Sequence, residues 1–190
     1  MEEARLEPTS AGLAPAGEGW FVVNVRDSVW VEHDTFRSAC TFEAYGPVAR
    51  ERPDVDWQSF PEVGFTLAVL EPGRPSGLYH AESNQEDFLV LSGECRLLVE
   101  GEERTLQAWD FFHSPAGTEH IFVGAGQAPC VILMAGSREG EWTVRYPVSE
   151  LASRYGAGAQ QESTDPREVY VGFQPSRRER PSYWDQLPWA

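Results

Sequence analysis

Residues 79–93 read YHAESNQEDFLVLSG. His80, Glu82, Gln85, Glu86 and Asp87 crowd in just ahead of the apolar run FLVLSG, a combination that neither a half-buried strand nor an ordinary surface loop requires. Alternate residues of a strand share one face, so Leu78, His80 and Glu82 are expected to point together, with Tyr79 and Ala81 turned away. After a bend through 83–85, Glu86 opens a second strand on the same side, followed inward by Phe88 and Val90. Ser92 and Gly93 then close that strand in a tight turn that returns through CRLLVEG.

A second polar cluster lies in WDFFHSPAGTEHIFVG, residues 109–124. Pro115 and Gly117 set a sharp turn, and His120 begins a strand with its imidazole and Phe122 on one face. Folding both hairpins into one small barrel brings four donors together: His80, Glu82, Glu86 and His120. Two neutral imidazoles and two carboxylates suit a divalent transition metal, with Zn, Fe, Mn and Ni all compatible, and do not suit an all-oxygen calcium cage. Burying two carboxylates without a cation is costly, because desolvation penalises the charged form. The plainer alternative is that the four hydrogen-bond one another in a wet barrel mouth. Gln85, Phe88, Trp109, Phe122 and Met134 are the candidates to line the adjoining pocket. His33 and His113 stand apart from the cluster, and surface or capping roles are expected of them.

Around these stretches the chain carries short β-rich runs, WFVVNV, SVWVEH, FTLAVL, HIFVGA and CVILMAGS, separated by turn clusters such as EPGRPSG and GAGQAP. Such spacing indicates an all-β sandwich or barrel. Residues 1–19 are small and acidic, with Pro and Gly, and are expected to form a mobile N-terminal arm. Residues 20–147 form the barrel, and 148–190 a C-terminal extension. Within the extension VSELASRYG (148–156), between Pro147 and Gly156, is the best helix candidate, while RPDVDW (52–57) is read as a helical turn. The final stretch SYWDQLPWA is too aromatic for a free tail and is expected to dock on the barrel or on a second subunit.

With 15 basic and 30 acidic residues the 190-residue chain has a net charge of -15, which repels phosphate backbones and anionic membranes. Nucleic acid and membrane are therefore excluded as partners. No run of about eighteen apolar residues suggests a span. The start of the chain lacks a signal-peptide pattern, and Cys40, Cys95 and Cys130 are too far apart for a CxxC pair. Buried thiols in a reducing compartment, the cytoplasm, are the expectation. GAGQAP has neither the Lys nor the following helix of a phosphate loop.

The two motifs resemble those of the cupin superfamily. Its first motif runs His-x-His, three or four residues, Glu, six residues, Gly, and here reads His80-Ala-Glu82, three residues, Glu86, six residues, Gly93. Its second, Pro-x-Gly-x-x-His, is met by Pro115, Gly117 and His120, and fifteen residues separate Gly93 from Trp109. Glu82 replaces the usual second histidine, Trp109 stands where the second motif commonly opens with Gly, and Gly124 takes the usual Asn position. The resemblance spans about 62–136 and implies a double-stranded β-helix, or jelly-roll, barrel with a short helical segment and extended terminal arms. It also implies a homodimer, and a metal-dependent enzyme acting on a small-molecule substrate, of isomerase, epimerase, decarboxylase or dioxygenase type. The alternative is a non-catalytic module that binds or senses a small ligand. The two part on whether the ion is open to solvent and exchanges its water for added acids or diols.

Overall fold

The computed structural model describes residues 1–43 and 54–189. Nearly all of its regular structure is β, as the turn spacing predicts. A five-stranded sheet carries the order β3–β4–β11–β6–β9, formed by Ser38–Phe42, Val63–Leu70, Cys130–Ser137, Glu86–Ser92 and Phe111–Ser114. A three-stranded sheet, β10–β7–β8, is formed by His120–Ala125, Glu94–Val99 and Glu102–Gln107. A small ribbon pairs β5 (Ala81–Glu82) with β12 (Val144–Arg145). All these pairings are antiparallel.

The two larger sheets close on each other over an apolar core. Leu70, Phe88, Val90, Cys130 and Ile132 enter it from one sheet, and Cys95, Leu97 and Phe122 from the other. Each such side chain contributes roughly 1.5–3 kcal/mol on leaving water. Alternation is kept along β6, where Glu86, Phe88 and Val90 face inward, and along β11, where Met134 sits opposite Phe88. Gly93 turns β6 into β7 at φ 77°, and a Cβ there would lie 2.7 Å from the Pro129 carbonyl oxygen, so the turn admits glycine alone.

Several expectations are corrected. Residues within 1–19, read as a mobile arm, instead form a hairpin, β1 (Arg5–Thr9) and β2 (Gly12–Ala16). It is tied to the rest of the chain by Ala4 N to Trp20 O, Leu13 N to Asp27 O and Gly17 N to Asp56 O, and it buries Ala14 completely. Small residues there serve close packing rather than disorder. WFVVNV and SVWVEH contribute isolated bridges and turns rather than strands. The helix expected over 148–156 is one turn, Glu150–Ser153, capped by the Ser149 hydroxyl, which accepts from Ala152 N. Gly156 at φ 71° ends that turn. RPDVDW lies partly outside the described residues, and Asp54 and Val55 are in a turn.

The aromatic C-terminus docks on the outer face of the five-stranded sheet of its own chain. Tyr183 and Leu187 are buried against Trp30, Cys40, Val69 and Val131, and Trp184 and Trp189 lie with ring centroids 5.2 and 5.5 Å from that of Trp30. All three cysteines are buried and free. Among the described residues no helix is long and apolar enough to cross a membrane.

Candidate metal centre

His80 precedes β5 and His120 opens β10, and the two are partners in an isolated antiparallel bridge. His80 N donates to His120 O at 3.2 Å and His120 N donates to His80 O at 2.8 Å, so both side chains leave the bridge on one face. Their ring centroids are 5.2 Å apart. A further backbone bond, Gly117 N to Glu82 O at 2.7 Å, joins the turn of the second motif to the strand of the first. Glu86 enters from β6, between Ser114 of β9 and Gly136 of β11.

Each imidazole is oriented by a backbone carbonyl. His80 Nδ1 lies 2.7 Å from Leu78 O, and His120 Nδ1 lies 3.1 Å from Thr118 O. A carbonyl can only accept, so each Nδ1 carries the proton and each Nε2 presents its lone pair. The Nε2 atoms face carboxylates: His120 Nε2 is 3.5 Å from Glu86 Oε2 and His80 Nε2 is 3.7 Å from Glu82 Oε1. Those separations are too long for good hydrogen bonds. They are close to the roughly 3.4 Å expected between two ligands each about 2.1 Å from one tetrahedral ion.

Burial dominates the electrostatics. It lowers His80 and His120 to a pKa of about 4, so both imidazoles are neutral at pH 7 and ready to act as ligands. Desolvation, followed by repulsion from Glu82, raises Glu86 to about 8. A buried carboxylate held this far above its usual range gains most from a neighbouring cation. One donor atom from each of His80, Glu86 and His120 lies within 4.8 Å of the others, a set that can hold a metal ion.

Glu82, the fourth residue expected at the site, lies beside this trio with its Oε1 3.7 Å from His80 Nε2. Its Oε2 accepts from Trp142 Nε1 at 2.7 Å, so the indole holds the carboxylate at the cavity wall. Phe88, Phe122 and Met134 line a cavity of about 160 Å³ together with His80, Glu82 and Glu86. Gln85 and Trp109 are not among that cavity's lining residues. Gln85 Nε2 instead donates to Asp87 on the outer surface at 2.6 Å, the bend being confined to Ser83 and Asn84. Trp109 is 75% exposed at φ 76°, in the turn between β8 and β9. Gly124 lies where a Cβ would come within 2.1 Å of Glu71 O, so the wall there has no room for a side chain.

Motif reading names none of Arg37, Ser76, Gly77, Tyr146 and Tyr170, which also line the cavity. Arg37, Tyr146 and Tyr170 line it from segments outside both motifs. Leu78 N donates to the Tyr170 hydroxyl at 3.0 Å, and burial, with further contributions from Tyr170 and Glu82, keeps the Tyr146 phenol well above the usual range. His33 and His113 have local roles. His33 Nδ1 accepts from Thr35 N and Phe36 N, and His113 Nδ1 lies 2.6 Å from Asp87 on the surface.

Residues 66–136 match the family model described as a cupin domain. Among solved structures, the chain is similar to a sugar phosphate isomerase from a cupin superfamily of Silicibacter pomeroyi, with 28% identity over 57% of this chain and 63% of that one and a TM-score of 0.45. The chain therefore spans less than two thirds of that protein. An RmlC-like cupin from Shewanella frigidimarina is 16% identical over 66% and 96% of the two chains, with a TM-score of 0.49. A polyketide cyclase from Streptomyces resistomycificus is 17% identical over 62% and 79%, with a TM-score of 0.48. No curated protein matches the chain. The matched segment contains both motifs and all three converging donors: residues 66–136 match a cupin domain, and the all-β architecture around them is the cupin fold.

Proposed function

We propose that this protein binds a divalent transition metal through His80, Glu86 and His120 and uses it to promote proton transfer on a small organic molecule. The observation that carries the reading is the convergence of two Nε2 lone pairs and one desolvated carboxylate within 4.8 Å, at the edge of a cavity of about 160 Å³. Zinc, iron, manganese and nickel all suit two imidazoles and a carboxylate. When bound, the ion supplies Lewis acidity to a carbonyl or hydroxyl oxygen of the substrate.

The chain's own residues supply the rest. Glu82, oriented by Trp142 and facing the same cavity, acts as general base. Tyr146, kept protonated by burial, donates a hydrogen bond or a proton to the developing oxyanion. Phe88, Phe122 and Met134 exclude water from the reacting carbon. This division of labour fits isomerisation or epimerisation. The test is solvent deuterium exchange at the carbon beside the carbonyl or hydroxyl of a panel of small oxo and hydroxy compounds. Metal-loaded wild type is expected to catalyse exchange, and Glu82→Gln to keep its metal while losing exchange at least a hundredfold. Undiminished exchange in Glu82→Gln contradicts the assignment of Glu82.

The same reading includes a homodimer. Leu133, Leu89 and Phe111 are in register on the outer face of the five-stranded sheet, with Phe65 on the same face of β4, beside the part that the C-terminal arm covers; Phe65 and Phe111 are 42% and 62% exposed. An apolar band of this kind suits a second copy packed face to face. Three free, buried thiols fit a reducing compartment such as the cytoplasm.

A further inference from the structure

Arg37 is a cation set into the walls of the site from outside both motifs. It lies one residue before β3, at the position whose alternation continues through Ala39 and Thr41, and these three residues line one cavity of about 460 Å³. That cavity and the one beside the metal centre share Arg37, Ser76, Gly77 and Tyr170, which form the partition between them. Arg37 also lines a third cavity with Glu82 and Glu86. Its Nη1 donates to Ser76 O at 2.6 Å, a neutral acceptor that fixes the side chain without neutralising it. Arg138, the other arginine in the third cavity, is by contrast ion-paired with Glu43. A guanidinium has five donors in a planar fork that matches a carboxylate.

We infer that Arg37 makes the cavity beside the metal centre an anion-accepting subsite, and that the ligand is a small 2-hydroxy or 2-oxo acid whose carboxylate meets the Arg37 fork. The inference rests on the metal reading above. A divalent ion and one guanidinium, set against the Glu82 and Glu86 carboxylates, leave a single positive charge. A monoanion balances it, whereas a phosphate dianion leaves the cavity negative. The size agrees, since about 160 Å³ is well below the 300–1,000 Å³ of drug-sized pockets. A chain of net charge -15 repels anions at long range, so a local cation is needed to admit one.

The experiment is calorimetric titration of lactate, and of its neutral isostere lactamide, into the full-length protein, with bound metal measured on the same samples. Wild type is expected to bind lactate at least tenfold more tightly than lactamide. Arg37→Gln is expected to lose at least tenfold in lactate affinity with metal content and lactamide affinity unchanged, and Arg37→Lys to fall between. Equal affinity for lactate and lactamide in the wild type overturns the proposal, and needs no variant to fold. So does wild-type lactate affinity in Arg37→Gln, or inorganic phosphate competing as tightly as lactate. Loss of lactate selectivity in Arg37→Gln from a protein that binds no metal upholds the anion subsite and contradicts the metal reading, so the two failures are distinct.

Discussion

His80 and His120 bond to each other through their backbones in both directions, and this reciprocal bridge places two Nε2 lone pairs on one face with ring centroids 5.2 Å apart. Neither imidazole is positioned by its neighbours in sequence alone. Each Nδ1 is fixed by the carbonyl two residues before it, Leu78 O for one and Thr118 O for the other. The donor geometry is thus built into main-chain pairing, and side-chain substitution can remove a donor without dismantling the bridge.

His120→Ala is therefore expected to lower metal affinity at least a hundredfold while the barrel remains folded. The removed ring is almost fully buried, so a cavity cost of roughly 1–3 kcal/mol accompanies the loss. Equilibrium metal titration and a thermal melt of the metal-free variant separate the two effects.

Under the proposed metal binding, Glu86 sets the pH dependence. With its pKa near 8 and both imidazoles near 4, metal uptake between about pH 5 and 7 is expected to displace one proton, from Glu86. Calorimetry in buffers of different ionisation enthalpy reads that number, and a value near zero contradicts the assignment.

Stability of the metal-free protein follows from the same shifts. Glu86 is raised, so its contribution is complete below about pH 4.5 and is lost as pH climbs through 8. The imidazoles are lowered, so theirs is present above about pH 6.5 and is lost as pH falls through 4. Glu86→Gln is expected to melt higher than wild type at pH 8 in the presence of chelator, with the gain vanishing at pH 4.5. A gain of about 1 kcal/mol corresponds to roughly 2–4 °C for a chain of this size.

Trp109 occupies a left-handed backbone position with its ring mostly in water. Trp109→Gly is expected to leave the melting temperature within a few degrees, since relief of roughly 1 kcal/mol of strain offsets the greater freedom of the unfolded chain. Gly124→Ala, by contrast, drives a methyl into Glu71 O and is expected to cost at least about 2 kcal/mol in a denaturant titration.

Deleting residues 181–190 exposes Trp30 and the sheet face that Tyr183 and Leu187 cover. A fall in melting temperature of more than 5 °C is expected. Sedimentation is expected to be unchanged, because this arm packs on its own chain.

The barrel was legible because two hairpins announce themselves by alternation and by glycines that only tight turns require. Glu86, Phe88 and Val90 followed from a period of two, and His120 and Phe122 likewise. Alternation puts Glu82 on the face of His80, where a fourth ligand is expected, and says nothing of the Trp142 indole that arrives from sixty residues away to bond its second carboxylate oxygen. Arg37 and Tyr170 carried no local signal, since their place at the cavity comes from long-range pairing and from the packing of the C-terminal extension. The hairpin at residues 5–16 was hidden by its composition: Gly, Ala and Pro look disordered in sequence, yet here they permit close backbone approach.

Elemental analysis of purified wild type beside Glu86→Ala, each dialysed after loading with zinc, iron(II), manganese or nickel, bears most directly on the convergence of the three donors. Near one equivalent of metal per chain is expected in the wild type, and less than a tenth of that in the variant. Equal, substoichiometric metal in both proteins contradicts a centre built from His80, Glu86 and His120.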